Sequence, residues 1–180
     1  LQHHLDLGQE SKDILKRIVN QRQQSNINYN DLLDMLLSAR YDDGSSMEEK
    51  QLLDEILILF VAGHETTSNA LTFTLQLLAL HPEWQDKIYD EIKANEDEQD
   101  LMNLVMNSKI CQQVIEESMR LYPPVYFIDR VNIEDDSFKD YHFKANSNLL
   151  FSVFEIHRHP KLWDQPNKFL PERFEDGGRQ

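Results

Sequence analysis

The sequence predicts a mainly α-helical fold with a small β-sheet portion. A long apolar run between residues 52 and 80 has the length of a helix, and the pattern changes from helical to strand-like after residue 124. Among 180 residues, 40% are hydrophobic and only 5 are glycine and 6 proline. Such a composition is typical of a helix-rich globular chain of about one domain's length.

The first half of the chain contains the predicted long helix and two shorter ones before it. Apolar residues at helical spacing predict a helix over residues 11–22 and a second over residues 29–39. A polar connector follows at residues 41–46. Ser46 followed by Glu49 resembles a capping box, which opens a helix that should run to about Leu80.

The following segment should contain two further helices. Pro82 stands at a good first-turn position for a helix through Lys93, and the acidic residues 96–100 read as a solvated linker. The next helix carries Glu117, and Pro123 and Pro124 end it because proline breaks the helical hydrogen-bond ladder.

Short strands should follow this helix. Residues 125–128 and 131–133 are rich in β-branched and aromatic side chains, and residues 148–154 read as a buried strand. Asn146 precedes that strand and tolerates a positive φ, so we expect it to support the turn there.

The run Ala62–Thr67 places a glycine, an acid and two hydroxyls inside a helix that should be buried. Each unpaired polar group in a core costs roughly 1–3 kcal/mol. Gly63 adds about 1 kcal/mol of helix penalty, and the threonines can bond one turn back and open the ladder locally. The resulting groove could hold a small molecule beside a carboxylate and a hydroxyl. The alternative is a kinked core helix whose polar groups satisfy each other.

Two further motifs are each weak evidence for a protein family, but their order along the chain is more specific. Glu117 and Arg120 are neighbours on one helix face, a spacing usually seen in solvated surface pairs. The stretch 171–174 reads Pro-Glu-Arg-Phe, and His157–Trp163 lies between these two motifs. The specific feature is the order of all these segments along the chain.

This series resembles the haem-thiolate monooxygenases of the cytochrome P-450 superfamily from about Leu52 to Phe174. The resemblance implies a partial cytochrome P-450 fold with a long central helix, a Glu-x-x-Arg helix, short strands and a meander. It also implies an enzyme that activates dioxygen at haem b and inserts one oxygen atom into a small apolar substrate. A fatty-acid-like substrate is one candidate, and electrons should come ultimately from NAD(P)H through a ferredoxin or a flavoprotein reductase.

The resemblance assigns roles to residues of the central helix. The residues matching Glu65 and Thr66 are catalytic and deliver protons where oxygen is activated. Ala62 and Gly63 match the small residues of the oxygen-binding groove.

Other roles fall after the second motif. Arg130 matches a residue that holds a haem propionate, although a surface arginine is the alternative. Val125, Tyr126 and Phe127 match a loop that lines the substrate pocket, and they could equally be ordinary core of a small sheet.

Glu117, Arg120 and Arg173 match the family's buried structural triad. A buried carboxylate shared by two guanidinium groups gains charge-assisted bonds, whereas losing one partner strands a charge at roughly 3–5 kcal/mol. We therefore expect Glu117→Ala or Arg120→Ala to prevent correct folding.

The chain departs from the family pattern at its end. The haem-ligating cysteine belongs to a glycine-rich loop that we expect beyond Gln180, so no metal ligand is predicted in this chain. Cys111, the single cysteine, does not match that loop and reads as core packing. We expect residues 1–180 to be part of a single haem-monooxygenase domain truncated at both ends. The isolated piece should be inactive and bind haem weakly or not at all.

The charge narrows the range of partners. A net charge of −14 argues against nucleic acid and an anionic membrane surface. A membrane span is disfavoured because residues 63–67 would place ionisable groups at its centre. The sequence does not predict where the protein is located in the cell. We expect a cytoplasmic protein if no N-terminal membrane anchor precedes residue 1. The alternative function is a non-catalytic helical scaffold or protein-binding module that retains the fold.

Overall fold

The computed structural model describes residues 2–25 and 27–175, with side chains from Leu7 onward. The chain forms two compact units, residues 1–65 and residues 66–180, which are described separately. Within the described ranges, no helix combines the length and apolar character needed to cross a membrane.

The first unit contains α1 (Gln2–Ser25), α2 (Leu32–Ser38) and the first half of α3 (Glu49–Leu80). Its small core is formed by Val19, Leu52 and Leu53. Asp31 caps α2, since its carboxylate accepts the main-chain N–H of Asp34 at 3.0 Å. Both short helices were predicted, but α1 is longer and α2 shorter than the pattern indicated.

A guanidinium joins the two short helices of the first unit. Arg22 on α1 donates to both carboxylate oxygens of Asp31 at 2.7 and 2.8 Å and to Asp34 at 2.8 Å. Its guanidinium also lies over the ring of Tyr29 at 4.3 Å. These bonds hold the pKa of the Asp31 carboxyl at about 2 instead of 3.8. The bond to Arg22 is also the main cause of a lowered pKa at Asp34.

Helix α3 differs from expectation in two ways. It runs without interruption from Glu49 to Leu80, so the predicted local opening at the polar run is absent from this helix. Residues 58–65 are exposed, whereas we expected a buried helix. The expectation of burial was wrong because an apolar sequence indicates only that a helix face is suited to burial. No other part of the described chain covers residues 58–65.

The core of the second unit lies where three helices meet the segment of residues 157–170, which we call the C-terminal meander. It comprises the rest of α3, α4 (Pro82–Ala94), α5 (Leu101–Asn107) and α6 (Lys109–Leu121). The buried apolar side chains of this core are Leu77, Trp84, Val114, Leu121 and Phe169.

Helix α5 was not predicted. Its seven residues follow the acidic linker, and Asp100 caps it by accepting the N–H groups of Met102 at 2.8 Å and Asn103 at 3.3 Å. The aspartate capping signal was present in the sequence, but the helix is too short to show a period.

Two antiparallel hairpin-like pairs form the β portion. Strand β1 (Phe127–Val131) pairs with β4 (Asn148–Ser152), and β2 (Asp136–Phe138) pairs with β3 (Tyr141–Phe143). Helix α7 (Val153–Ile156) follows directly, and Pro171–Phe174 form a 3₁₀ helix.

The strand predictions hold in part. A strand occurs at residues 148–152 as expected, but its residues are exposed or half-buried, so the predicted burial was wrong. The pair β2 and β3 was missed because its segments are short and polar. Asn146 adopts φ 64° in the turn before β4, as its residue type predicted.

Candidate functional site

The run Ala62–Thr67 lies midway along α3. Ala62, Gly63 and Glu65 are exposed, and Thr66 is half-buried. Apart from its chain neighbours and the backbone of its own helix, a Cβ added to Gly63 would meet no atom of the described chain within 4 Å. The described packing therefore gives no reason for glycine here, although glycine in a helix interior costs about 1 kcal/mol relative to alanine.

Glu117 is the centre of a buried ionic cluster. Its carboxylate has no solvent exposure and accepts two bonds from Arg120, at 2.6 Å from Nε and 2.8 Å from Nη2. It also accepts the main-chain N–H of Leu170 at 2.9 Å and a longer bond of 3.4 Å from Arg173 Nε. The structure therefore brings together the three residues of the predicted triad, with Arg173 the weaker partner.

Arg120 is satisfied at every donor. Besides the two bonds to Glu117, it donates from Nη1 to the carbonyl oxygens of His157 at 2.7 Å and Pro166 at 2.8 Å, and from Nη2 to Lys168 at 3.1 Å. Five N–H groups thus find five acceptors. Because three of these are main-chain oxygens, the guanidinium ties α6 to the loop that follows α7.

Helix α6 is also positioned by two contacts to other helices. At its start, the Glu91 carboxylate of α4 accepts the N–H groups of Ile110 at 2.7 Å and Cys111 at 3.1 Å. Near its end, the Ser118 hydroxyl lies 3.0 Å from the Thr74 hydroxyl of α3 in a buried setting. These contacts fix the placement of Glu117 relative to α3 and α4.

The predicted substrate and propionate residues lie on and before β1. Val125, Tyr126 and Phe127 have relative exposures of 53%, 59% and 42%, which argues against the alternative that they are ordinary core within the described chain. Arg130 is exposed and donates to the main-chain oxygen of Asp129 at 2.6 Å. All four side chains are therefore exposed to solvent in the described chain.

The described residues include no cluster of histidine, cysteine and acidic side chains that could hold a metal ion. Cys111 is half-buried on α6. Burial, helped by the charge of Glu91, raises the pKa of its thiol above the usual value. A thiol kept protonated is a poor iron ligand, because the thiolate is the ligating form.

Sequence reasoning missed several residues that hold these groups in place. Thr74 and Ser118 are a threonine and a serine within helices, and nothing in the sequence pairs them. The ring of Trp163 lies 5.0 Å from the Arg120 guanidinium, and its place in the motif His157–Trp163 was the only available signal.

Comparison with known proteins gives this geometry a context. The family model described as Cytochrome P450 matches residues 1–179. The chain belongs to the cytochrome P450 family. The match confirms the resemblance, and the mainly helical structure with a small β portion agrees with a partial cytochrome P450 fold.

Individual relatives support the same assignment. The chain is 35% identical over 147 residues to a cytokinin hydroxylase of Arabidopsis thaliana, covering 80% of this chain and 29% of that protein. It is 30% identical over 165 residues to a cyclooctat-9-en-7-ol 5-monooxygenase of Streptomyces melanosporofaciens, covering 91% and 36%.

A solved cytochrome P450 shares the fold. The structure of a cyanobacterial cytochrome P450 with retinoic acid bound superposes with a TM-score of 0.86 at 33% identity, covering 93% of this chain and 39% of that one. The chain thus spans about a third of the length of the relatives it matches.

Proposed function

We propose that this chain is part of a haem-thiolate monooxygenase that inserts one atom of dioxygen into a small apolar substrate. The observation that carries the proposal is the Ala62–Thr67 run, a motif of the family, found on the exposed middle of a continuous helix. Glycine at position 63 has no packing reason in the described chain, as expected where another group must approach the helix.

The proposed roles on α3 follow from side-chain chemistry. Thr66 offers a hydroxyl that can donate and accept, and Glu65, one residue before it, offers a carboxylate that exchanges protons with water. A proton taken up by Glu65 would pass to the Thr66 hydroxyl and from there to the oxygen being reduced. Ala62 and Gly63 would leave the space in which that oxygen lies.

Haem is the cofactor this function requires, and it supplies the iron at which dioxygen is reduced. The exposed Arg130 guanidinium suits a propionate carboxylate, since both groups are planar and form paired hydrogen bonds. The axial thiolate is not among the described residues, and we propose that it follows Gln180 in the natural protein. The side chains of residues 125–127 would form one wall of the substrate pocket.

Partners and substrate are proposed at the level of chemistry. Two electrons per turnover would come from NAD(P)H through a ferredoxin or a flavoprotein reductase. One solved relative holds retinoic acid, an apolar carboxylic acid. Retinoic acid and lauric acid are therefore suitable first substrates, the latter for a fatty-acid-like chain.

The test uses the complete protein from the natural reading frame, reconstituted with haem, a redox partner and isotopically labelled dioxygen. We expect one labelled oxygen atom in the product of a substrate that binds. A reading frame whose continuation lacks a cysteine in a glycine-rich loop would overturn the enzyme proposal and favour the non-catalytic scaffold.

A further inference from the structure

The segment 125–127, the proposed pocket wall, has no buried side chain of its own. Its position must therefore be set by the residues that flank it. On one side, Tyr122 stacks on Phe73 of α3, with ring centroids 4.5 Å apart and planes inclined by 5°. Pro123 and Pro124 connect this anchor stiffly to the segment, because proline restricts its own backbone and that of the preceding residue.

The other side of the segment is held by main-chain bonds. The N–H of Phe154 donates to the carbonyl oxygen of Tyr126 at 3.2 Å, and Phe127 pairs with Ser152 in the antiparallel ladder. The start of α7 is thus the second anchor of the wall.

One guanidinium contacts both anchors. Arg158 lies 3.7 Å from the ring centroid of Phe154 and 5.5 Å from that of Tyr122. Its Nη1 is buried without a hydrogen-bond partner, a property shared within the described residues only by His157 Nδ1. A buried donor without an acceptor is unfavourable, and the two ring contacts offset part of that cost.

We propose that Arg158 is a positioning residue that fixes the substrate-facing segment 125–127 by bridging the rings of Tyr122 and Phe154. That residues 125–127 face substrate rests on the proposed function, whereas the bridge rests only on the contacts of Arg158 with the two rings. Arg158 lies outside the predicted site residues, and its effect on specificity would be indirect.

The first experiment measures hydrogen exchange of the peptide covering residues 125–131 in the complete protein. Arg158→Met removes the planar cation and keeps an unbranched side chain, so we expect exchange about fivefold to thirtyfold faster, the range for losing both cation–π contacts. Lys161→Met, an exposed charge in the same loop, is the matched control and should leave that peptide unchanged. Exchange in residues 136–143 serves as an internal reference.

The second experiment tests whether the position of residues 125–127 affects the affinity for a ligand. Imidazole would contact only the haem iron, whereas the phenyl group of 4-phenylimidazole would also contact the pocket. The ratio of their dissociation constants therefore measures the contact between ligand and residues 125–127. We expect Arg158→Met to weaken the binding of 4-phenylimidazole about threefold or more relative to imidazole, because part of the free energy of the two lost contacts reaches the ligand. Tyr122→Phe, which keeps the ring, should behave like the unmodified protein. Phe154→Leu, which removes the other ring and leaves the stack of Tyr122 on Phe73, should behave like Arg158→Met.

The outcomes separate the two proposals. Unchanged exchange in Arg158→Met overturns the bridge, whether or not haem is bound. Faster exchange with an unchanged ligand ratio overturns the claim that the bridge sets specificity. A complete protein without a thiolate-type spectrum contradicts the proposed function, and the exchange measurement still decides the bridge. If Arg158→Met fails to fold, Phe154→Leu decides the same question, because it removes the ring 3.7 Å from Arg158 and leaves the stack of Tyr122 on Phe73.

Discussion

At the scale of single residues, Glu117 joins three parts of the second unit. Its carboxylate accepts a main-chain N–H from the meander and guanidinium bonds from α6 and the 3₁₀ helix. A fully buried carboxylate of this kind is tolerated only when its lone pairs are filled by donors. Removing the charge leaves the two guanidinium groups without their shared acceptor.

We therefore predict that Glu117→Gln lowers the free energy of unfolding by about 3–5 kcal/mol, the usual cost of breaking a buried ion pair. The measurement is denaturant unfolding of the complete protein, followed by haem content. Asp90→Asn, which changes an exposed acid of α4, is the control and should stay within about 0.5 kcal/mol, as surface substitutions do. Equal midpoints for Glu117→Gln and the unmodified protein would show that the cluster is not structural.

Thr66 carries the catalytic proposal at the same scale. In Thr66→Ala the hydroxyl that passes protons is lost, so we predict that electron consumption becomes uncoupled from product in the complete protein. The ratio of product formed to NAD(P)H consumed is the measurement. Thr67→Ala removes the neighbouring exposed hydroxyl and should keep coupling. Unchanged coupling in Thr66→Ala would count against its role.

At the scale of elements, α3 and α6 are joined by a buried polar contact as well as by apolar packing. The Thr74 hydroxyl lies 2.7 Å from the Ala70 carbonyl oxygen and 3.0 Å from the Ser118 hydroxyl. Both side chains are buried, with exposures of 6% and 1%. The contact lies two helical turns from Thr66, so it sets the register of the central helix against the helix of Glu117.

We predict that Thr74→Val lowers the free energy of unfolding by about 1–2 kcal/mol, because it removes the hydroxyl that contacts the buried Ser118 hydroxyl. Ser118→Ala should cost about 0.5–1.5 kcal/mol, since the Thr74 hydroxyl keeps its bond to the Ala70 carbonyl oxygen. The double variant should be less destabilised than the sum, by about 0.5 kcal/mol or more, since neighbouring residues are not additive. Thr72→Val removes an exposed hydroxyl and serves as the control. Strict additivity in a double-mutant cycle would show that the two hydroxyls do not interact.

The link between α1 and α2 gives a prediction for pH. The Arg22 guanidinium lowers the pKa of the Asp31 carboxyl from 3.8 to about 2. A lowered folded-state pKa adds stability that is fully present above the unfolded value and is lost as the pH falls through the folded value. Protection of α2 from hydrogen exchange, corrected for intrinsic rates, should therefore decrease between about pH 4 and pH 2.

Arg22→Gln tests this link, because it removes the group that lowers the pKa. Its α2 should exchange faster at neutral pH and show less further loss of protection between about pH 4 and pH 2. An unchanged pH profile in Arg22→Gln would show that the ion pair does not hold α2.

Elements with a strong period or a clear breaker were predictable from sequence. Helix α4 begins at Pro82 and α6 ends just before Pro123 and Pro124, as the proline positions indicated. Elements without such signals were missed, among them α5 and the β2 and β3 pair. Burial was the least predictable property, since α3 and β4 have apolar faces that the described chain leaves exposed.

The candidate site was predictable to a different degree. The meeting of Glu117, Arg120 and Arg173 followed from charge chemistry together with the family motifs. The carbonyl acceptors of Arg120 and the bridge at Arg158 depend on how the loop after α7 folds, and main-chain positions leave no mark on residue type. Those contacts are seen only in the folded structure.

At the scale of the whole molecule, the exposed apolar part of α3 is the most informative surface. Ile58 and Phe60 have exposures of 62% and 65%, next to the run at residues 62–67. Apolar side chains this exposed on a helix usually mark an interaction or ligand surface. In the proposed monooxygenase this surface would face haem, substrate and the remaining part of the same domain.

The proposed function requires that a cysteine thiolate of the complete protein binds the haem iron. The most direct measurement is the absorption spectrum of the complete protein, expressed with haem available, reduced and exposed to carbon monoxide. We expect a thiolate-type Soret band. A spectrum in which haem is bound without that band, or in which no haem is bound, would contradict it.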